Sequence, residues 1–228
     1  MYKFYWPVLW QYRAIILDGL LVTLVLFFSG GIAAIVLGTI FGAISAIPSR
    51  LARVACEFYV EINRNTPLIV KLFFLYFAFG LEAYPAAIFG LALHQSAYLA
   101  EVVRSGIQSI SKGQMEAGLS TGLSRAQVMR RIIFPQAFII VLPPATTQII
   151  ETLKNTSVAM TIAIPELTFQ TQHIEAYSFR GFEAATAATV IYLLMSFGIS
   201  AAALAAEWKL RSRRLRAYSV GIDRLAPT

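Results

Sequence analysis

The sequence is poor in charge, cysteine and histidine. Only 14% of its 228 residues are charged, against about 25% in an average soluble domain. Its one cysteine, Cys56, excludes an internal disulfide framework. That thiol and two histidines, His94 and His173, leave little material for a transition-metal site. No G-x-x-x-x-G-K-[ST] and no H-E-x-x-H occurs, so neither a phosphate-cradling loop nor a zinc-protease helix is encoded. What is abundant is apolar surface. Hydrophobic residues make up 57%, mean hydropathy is +0.66 and the net charge is +7. Such a chain has too much to bury to be disordered, and too little charge for an ordinary water-soluble enzyme. It reads as an integral membrane protein whose basic excess reports orientation; no nucleic-acid partner is expected.

Five apolar runs stand out. The first, 19–47, carries no charge over 29 residues; as a helix it reaches ~43 Å, more than the ~30 Å hydrocarbon core. The second, 54–81, has a polar middle, Asn63-Arg64-Asn65-Thr66-Pro67, and holds Lys71. A third runs from Ala86 to about Ile110, with His94, Glu101 and Arg104. The fourth, 136–153, contains Pro143-Pro144 and ends beside Glu151 and Lys154. The last, 184–206, is uncharged for 23 residues. A bilayer tolerates polar or proline-broken segments only where protein or a water-filled cavity surrounds them, so the second and fourth runs are functional hints. Gly38 and Gly42 form a G-x-x-x-G, a close-packing signal that fits a neighbouring helix of the same chain.

Basic residues fix an expected orientation. With the N-terminus outside, the inner side receives Arg50, Arg53, Arg104, Lys112, Arg125, Arg130, Arg131, Lys209, Arg211, Arg213, Arg214, Arg216 and Arg224, which is 13. The outer side receives Lys3, Arg13, Lys154 and Arg180, which is 4. The positive-inside rule favours this arrangement. The aromatic segment 1–18 then reads as an interfacial element on the outer face, 19–207 as the membrane domain, and 208–228 as a basic cytoplasmic tail.

Between the third and fourth runs lies an insertion, 111–138, long for a bundle connection. Ser124 opens a second short helix after a break at Gly122. Glu116-Ala117-Gly118, then Gly122, then Ile132, Phe134 and Pro135 resemble the EAA loop of ABC importer permeases, whose pattern is E-A-A, three residues, G, nine residues, I-x-L-P. Gly118 stands for the second alanine and Phe134 for the leucine. Arg64-Asn65-Thr66-Pro67-Leu68 resembles the R-G-T-P-L segment of the polar amino-acid subfamily, and Lys154-Asn155-Thr156-Ser157-Val158 its K-[DN]-[TS]-S-L segment. Ala97–Glu101 and Gly113-Gln114 also match family positions. The resemblance covers nearly the whole chain.

It implies an all-α polytopic fold of the type I importer class, with about five transmembrane helices, the N-terminus outside and the C-terminus cytoplasmic, in a bacterial inner membrane. It also implies a permease dimer of identical or homologous chains, two separate ATP-binding subunits that bind ATP and magnesium, and an external solute-binding protein. The chain itself would hold no cofactor and hydrolyse nothing. Loop 111–135 would couple it to the ATPase through Gln114, Glu116, Ala117, Gly118, Gly122, Arg125 and Pro135. Asn65 and Thr66, with Glu151, Lys154, Asn155, Thr156 and Ser157, form the expected substrate path. Glu151 could meet an ammonium and Lys154 a carboxylate; three residues apart, they could equally pair with each other. KNTSVA and GFEAATAATVIY resemble permeases for glutamate and aspartate. Two rival readings were weighed. A gradient-driven transporter would make the loop accidental. A hydrolase using Gly118-Leu119-Ser120-Thr121-Gly122 lacks the strand-turn-helix context that the G-x-S-x-G motif needs.

Overall fold

The structure is a computed structural model describing residues 2–47 and 49–223, with side chains described through residue 210. Most of the basic tail expected at 208–228 therefore lies outside the described side chains. A short helix α1 (Pro7–Gln11) leads into α2 (Arg13–Ser45). Then come α3 (Arg50–Asn65), α4 (Leu68–Phe73) with a π-turn at Phe74–Ala78, and α5 (Ala83–Gln108). After α6 (Lys112–Ser120) and α7 (Arg125–Val128), a π-turn (Met129–Ile133) runs into α8 (Phe134–Asn155). A 3-10 segment (Thr156–Ile162), α9 (Leu167–Ser178) and α10 (Gly181–Asp223) complete the chain. Among the described residues there is no strand.

Four segments are long and apolar enough to cross a bilayer: Arg13–Ser45, Ala83–Gln108, Arg125–Ile162 and Gly181–Leu210. The second run does not form the single helix that its apolar content allowed. It divides at Thr66-Pro67 into α3 and the shorter apolar stretch Leu68–Ala78. The reason is local: Thr66 is extended (φ −103°, ψ 123°), as the residue before a proline must usually be. Pro143 and Pro144 act differently. Both lie inside α8 without ending it, so the expected proline interruption of the fourth span is absent. Pro135, which directly precedes the fourth run, does not open a new helix. The helical rod starts at Arg125 and passes through the π-turn into α8.

The bundle is organised around α2 and α5. Small residues let these helices approach backbone to backbone. A Cβ placed on Gly38 would lie 2.9 Å from the Ser96 carbonyl oxygen, and one on Gly42 would lie 2.6 Å from that of Ala100. The G-x-x-x-G therefore works within the chain. Around this seam sit three apolar clusters. One joins Leu26, Leu72, Leu91 and Ile162, tying α4 and the 3-10 segment to α2 and α5. A second gathers Ile107, Val128, Ile133 and Ala137 beneath the α6–α7 connection. The third packs Val8 against Ile174 and Ala184.

The N-terminal segment is fastened to the start of α10. The Tyr2 hydroxyl donates to Glu183 Oε2 (2.5 Å) and the Tyr5 amide to Oε1 (2.7 Å). Trp6 and Trp10 remain exposed, as an interfacial element would keep them. Outward-facing apolar side chains such as Leu21, Val25, Phe28, Leu194 and Phe197 are exposed, the surface a lipid phase would cover.

The seam gives the first prediction. Gly42→Val should overpack α2 against α5 and cost about 1–3 kcal/mol, read as a lowered Tm of the detergent-purified protein. Gly198→Ala meets nothing within 4 Å and should melt like the parent. Equal melting of both variants would remove the seam from the account.

Candidate functional site

The α6–α7 connection is built from the inside out. Ser111 caps α6, accepting from the Gly113 amide. Gly118 is the buried position of α6: a Cβ there would come 2.8 Å from Val128 Cγ2 and 3.0 Å from Ile132 Cδ1. Glycine in place of the alanine of the EAA pattern thus lets α6 lie close against α7 and the π-turn. Gly122 follows with φ +84° and open space where its Cβ would be. Its requirement is the left-handed backbone, not tight packing. Ser124 then caps α7 with a full capping box: its Oγ accepts from the Gln127 amide, and Gln127 Oε1 accepts from the Ser124 amide. Such a box satisfies two otherwise orphaned amides. With Gly118, Val128 and Ile133 turned inward, Gln114, Glu116, Ala117, Arg125 and Pro135 face outward and are exposed. The result is a short helical hairpin on the end of a rod, its outer surface made of small and polar groups.

At the other end of that rod lie the residues expected to line the path. Lys154 Nζ donates to Glu151 Oε1 at 2.8 Å, and both side chains are about half exposed. Asn155 Nδ2 reaches Gln95 Oε1 at 3.4 Å. Gln95 itself is buried and donates to both the carbonyl and the side-chain oxygen of Gln148, each at 2.8 Å. This amide chain fastens α5 to α8. Thr156 is fully buried and bonds back to the Leu153 carbonyl, while Ser157 bonds back to that of Lys154. A groove of about 590 Å³ runs along Lys154 and Ser157 to Thr189, Tyr192, Ser196 and Ser200 of α10, with Ile150, Leu193 and Phe197 making much of its wall apolar. Composition obscured this polar face of α10, because 184–206 has no charge. The signal was there in the spacing of 189, 192, 196 and 200, which repeats at helical intervals of three and four.

Asn65 and Thr66 sit at the α3–α4 break. Asn65 Nδ2 donates to Glu61 Oε2 at 2.8 Å, and Thr66 Oγ1 to the Ile62 carbonyl. Just beyond the break, Lys71 is buried and donates to the Asn63 carbonyl (2.5 Å) and to His94 Nδ1 of α5 (3.0 Å). Arg64 lies over the Tyr98 ring, and the Tyr98 hydroxyl donates to the Arg64 carbonyl. Lys71 was legible only as an interruption in an apolar run, and His94 only as a lone ionisable group; their pairing is a product of the break. Glu166 is another buried carboxylate. It accepts from the Thr168 and Phe169 amides and the Tyr192 hydroxyl, so it caps α9 and joins it to α10.

The architecture now has counterparts among known proteins. Residues 34–212 match the family model for the binding-protein-dependent transport system inner membrane component. The chain belongs to that family. The glutamine transport system permease protein of Escherichia coli (strain K12) is 33% identical over 205 residues, covering 87% of this chain and 94% of that one. A probable glutamine ABC transporter permease of Bacillus subtilis (strain 168) is 37% identical over 201 residues, covering 85% and 92%. A crystal structure of an amino acid ABC transporter with histidines superimposes with a TM-score of 0.84 at 29% identity, covering 91% of this chain and all of that one. The chain is accordingly a permease subunit of an ABC amino-acid importer and a multi-pass membrane protein.

The hairpin of this permease gives the second prediction. Gly122→Ala forces a β-carbon into a left-handed backbone at a cost of roughly 1–2 kcal/mol, and should loosen the turn. Tryptic cleavage at Lys112 and Arg125 should speed up several-fold, with Gly122→Asn intermediate because asparagine tolerates that region. An unchanged digestion rate in Gly122→Ala would show that the turn adopts another conformation.

Proposed function

We propose that this permease works as one of a pair of membrane chains, identical or homologous, with two ATP-binding subunits on the cytoplasmic side and a solute-binding protein outside. ATP and magnesium belong to the ATP-binding subunits. The observation that carries this reading is mechanical. The exposed hairpin and the groove along α10 lie at opposite ends of one helical rod, Arg125 through Asn155. A push on α6 from a docked ATPase is thereby delivered to Glu151, Lys154 and Asn155. Gln114, Glu116 and Arg125 supply polar contacts for that partner, and Ala117 permits close approach.

The N-terminus lies outside in this reading, as the 13-to-4 division of basic residues favours. The substrate is a polar amino acid passing between the α3–α4 break and the groove along α10, with Asn65, Thr66, Asn155 and Ser157 along the way and Thr156, expected there too, buried in the wall behind them. An exposed ion pair such as Glu151–Lys154 is worth only about 0–1 kcal/mol. A zwitterion can exchange it for two new pairs, its ammonium on Glu151 and its carboxylate on Lys154. Glutamate or aspartate is the substrate favoured by the sequence of 154–159.

Three measurements test the proposal. Replacing Glu116 and Arg125 together by alanine should reduce co-purification of the ATPase several-fold while membrane insertion stays normal; full retention would make the hairpin a linker. A C-terminal tag should resist protease in sealed right-side-out cells, and cleavage there would invert the topology. Lys154→Gln should depress glutamate uptake more than uptake of a neutral amino acid. Equal losses would remove Lys154 as the carboxylate partner.

A further inference from the structure

Lys71 is the one buried cation in the described part of the broken second span, and it is not used by the coupling or the exchange described above. Its side chain crosses from α4 to two neutral acceptors, the Asn63 carbonyl at the end of α3 and His94 Nδ1 on α5. An ammonium has only donors, so His94 Nδ1 must accept, and the imidazole is held neutral with its proton on Nε2. Among the described residues no carboxylate lies within ion-pair distance of Lys71; the ion pairs are Glu101–Arg104, Glu151–Lys154 and Arg180–Glu183. An intramembrane charge without a counter-ion is costly and marks a functional position by default.

The charges near the path differ in how deeply they are buried. Glu151 and Lys154 cancel. At the break, Glu61 and Arg64 carry opposite charges, the carboxylate accepting from Asn65 and the guanidinium lying over Tyr98. Farther along α5, Glu101 and Arg104 cancel. Glu57, exposed one turn before Glu61, lines the same pocket as Glu61, Glu101 and Arg104, so the region is neutral in sum; Lys71 is the buried charge among these groups, close in sequence to Thr66 and the least screened by water.

We propose that Lys71 is an electrostatic selectivity element of the path: a fixed positive charge that disfavours amino acids with cationic side chains and admits zwitterionic or anionic ones. This rests on the reading that the path passes Thr66. Lys71 need not touch the substrate. At an intermediate dielectric a unit charge acts over ~8 Å strongly enough to change a binding ratio tenfold or more. The Asn63 and His94 contacts keep the ammonium in place, which a free lysine at the surface could not do.

The test uses the complete permease–ATPase complex without its solute-binding protein, so that selectivity of the membrane chains alone is read. A single thiol, Thr66→Cys in a Cys56→Ser background, is labelled with a small charged reagent at increasing glutamine or arginine. The quantity read is the ratio of the concentrations of arginine and glutamine that half-protect the thiol. Lys71→Gln keeps an amide donor toward the Asn63 carbonyl but removes the charge, and should lower that ratio roughly tenfold. Lys71→Arg keeps the charge at any pH and should hold the ratio at the parental value. An unchanged ratio in Lys71→Gln, or an equal change in Lys71→Arg, would overturn the proposal and leave Lys71 as a tie between α3 and α5. Failure of both amino acids to protect the thiol in the Lys71 parent would instead overturn the path past Thr66, and the selectivity role with it.

Discussion

Contact between the backbones of α2 and α5 is the constraint on which the remaining structure depends. Gly38 and Gly42 let α2 settle onto the carbonyls of Ser96 and Ala100. In a lipid phase such packing must come from close van der Waals approach, since lipid tails are as apolar as the helices. With α2 and α5 fixed, α5 becomes the post against which the α3–α4 break and the α8 rod are held. Its Gln95 ties it to α8 through Gln148. His94, one residue earlier, meets Lys71, and the neighbouring turn places Tyr98 under Arg64. At its far end, Ile107 packs into the apolar cluster under the hairpin. One helix thus touches the α3–α4 break, the α8 rod and the base of the α6–α7 hairpin.

That arrangement separates what must stay rigid from what must move. The hairpin closes on itself through Gly118, the left-handed Gly122 and the Ser124–Gln127 capping box. It is joined to the span by a π-turn, Met129–Ile133, rather than by a flexible linker. An inserted π-turn offsets the helix by one residue and is found often at functional positions. Here it lies between the element expected to receive force and the helix expected to respond. A rod carries a displacement along its whole length, where a loop would absorb it.

Much of this was legible in the sequence, and the parts that were not share a cause. Composition alone required a membrane protein, and the spacing from Glu116 to Pro135 pointed to the hairpin. Ser124 as a cap, Gly122 as a break and Gly38/Gly42 as an internal seam follow from local chemistry that tertiary contacts do not change. The errors concern proline. Thr66-Pro67 and Pro143-Pro144 look alike as interruptions, yet only the first ends a helix. At Thr66 the chain leaves α3 in an extended conformation and begins α4 anew. Pro143 and Pro144 forfeit two amide hydrogen bonds, but α8 continues through them, with Thr146 Oγ1 bonded back to the Leu142 carbonyl nearby. Sequence cannot distinguish the two, because the outcome depends on what packs around the freed carbonyls. The Lys71–His94 contact was hidden for the same reason: 23 residues separate the partners, and only the break in the second span brings them together.

The polar groups of the proposed path differ in how firmly they are held, and this difference suits them to separate tasks. Gln95, Thr152 and Thr156 are buried and bonded within the chain; opening those bonds in a low dielectric would cost the full penalty of an unmet partner. Such groups maintain the wall. Glu151, Lys154 and Asn65 are exposed or half-exposed, and their contacts are with neighbours three or four residues away. Local contacts of that kind are cheap to break and re-form in place, so a passing solute can borrow them without unfolding a helix. Lys71 belongs to neither class. It is buried like the wall, yet charged like the exchangeable groups, and its acceptors are neutral. A group of that kind cannot swap partners easily, but its field reaches past its contacts. The proposed path therefore combines a bonded frame, a set of exchangeable surface pairs and one buried cation. Each kind of residue meets a different demand that a membrane makes of a protein that must let a polar molecule through.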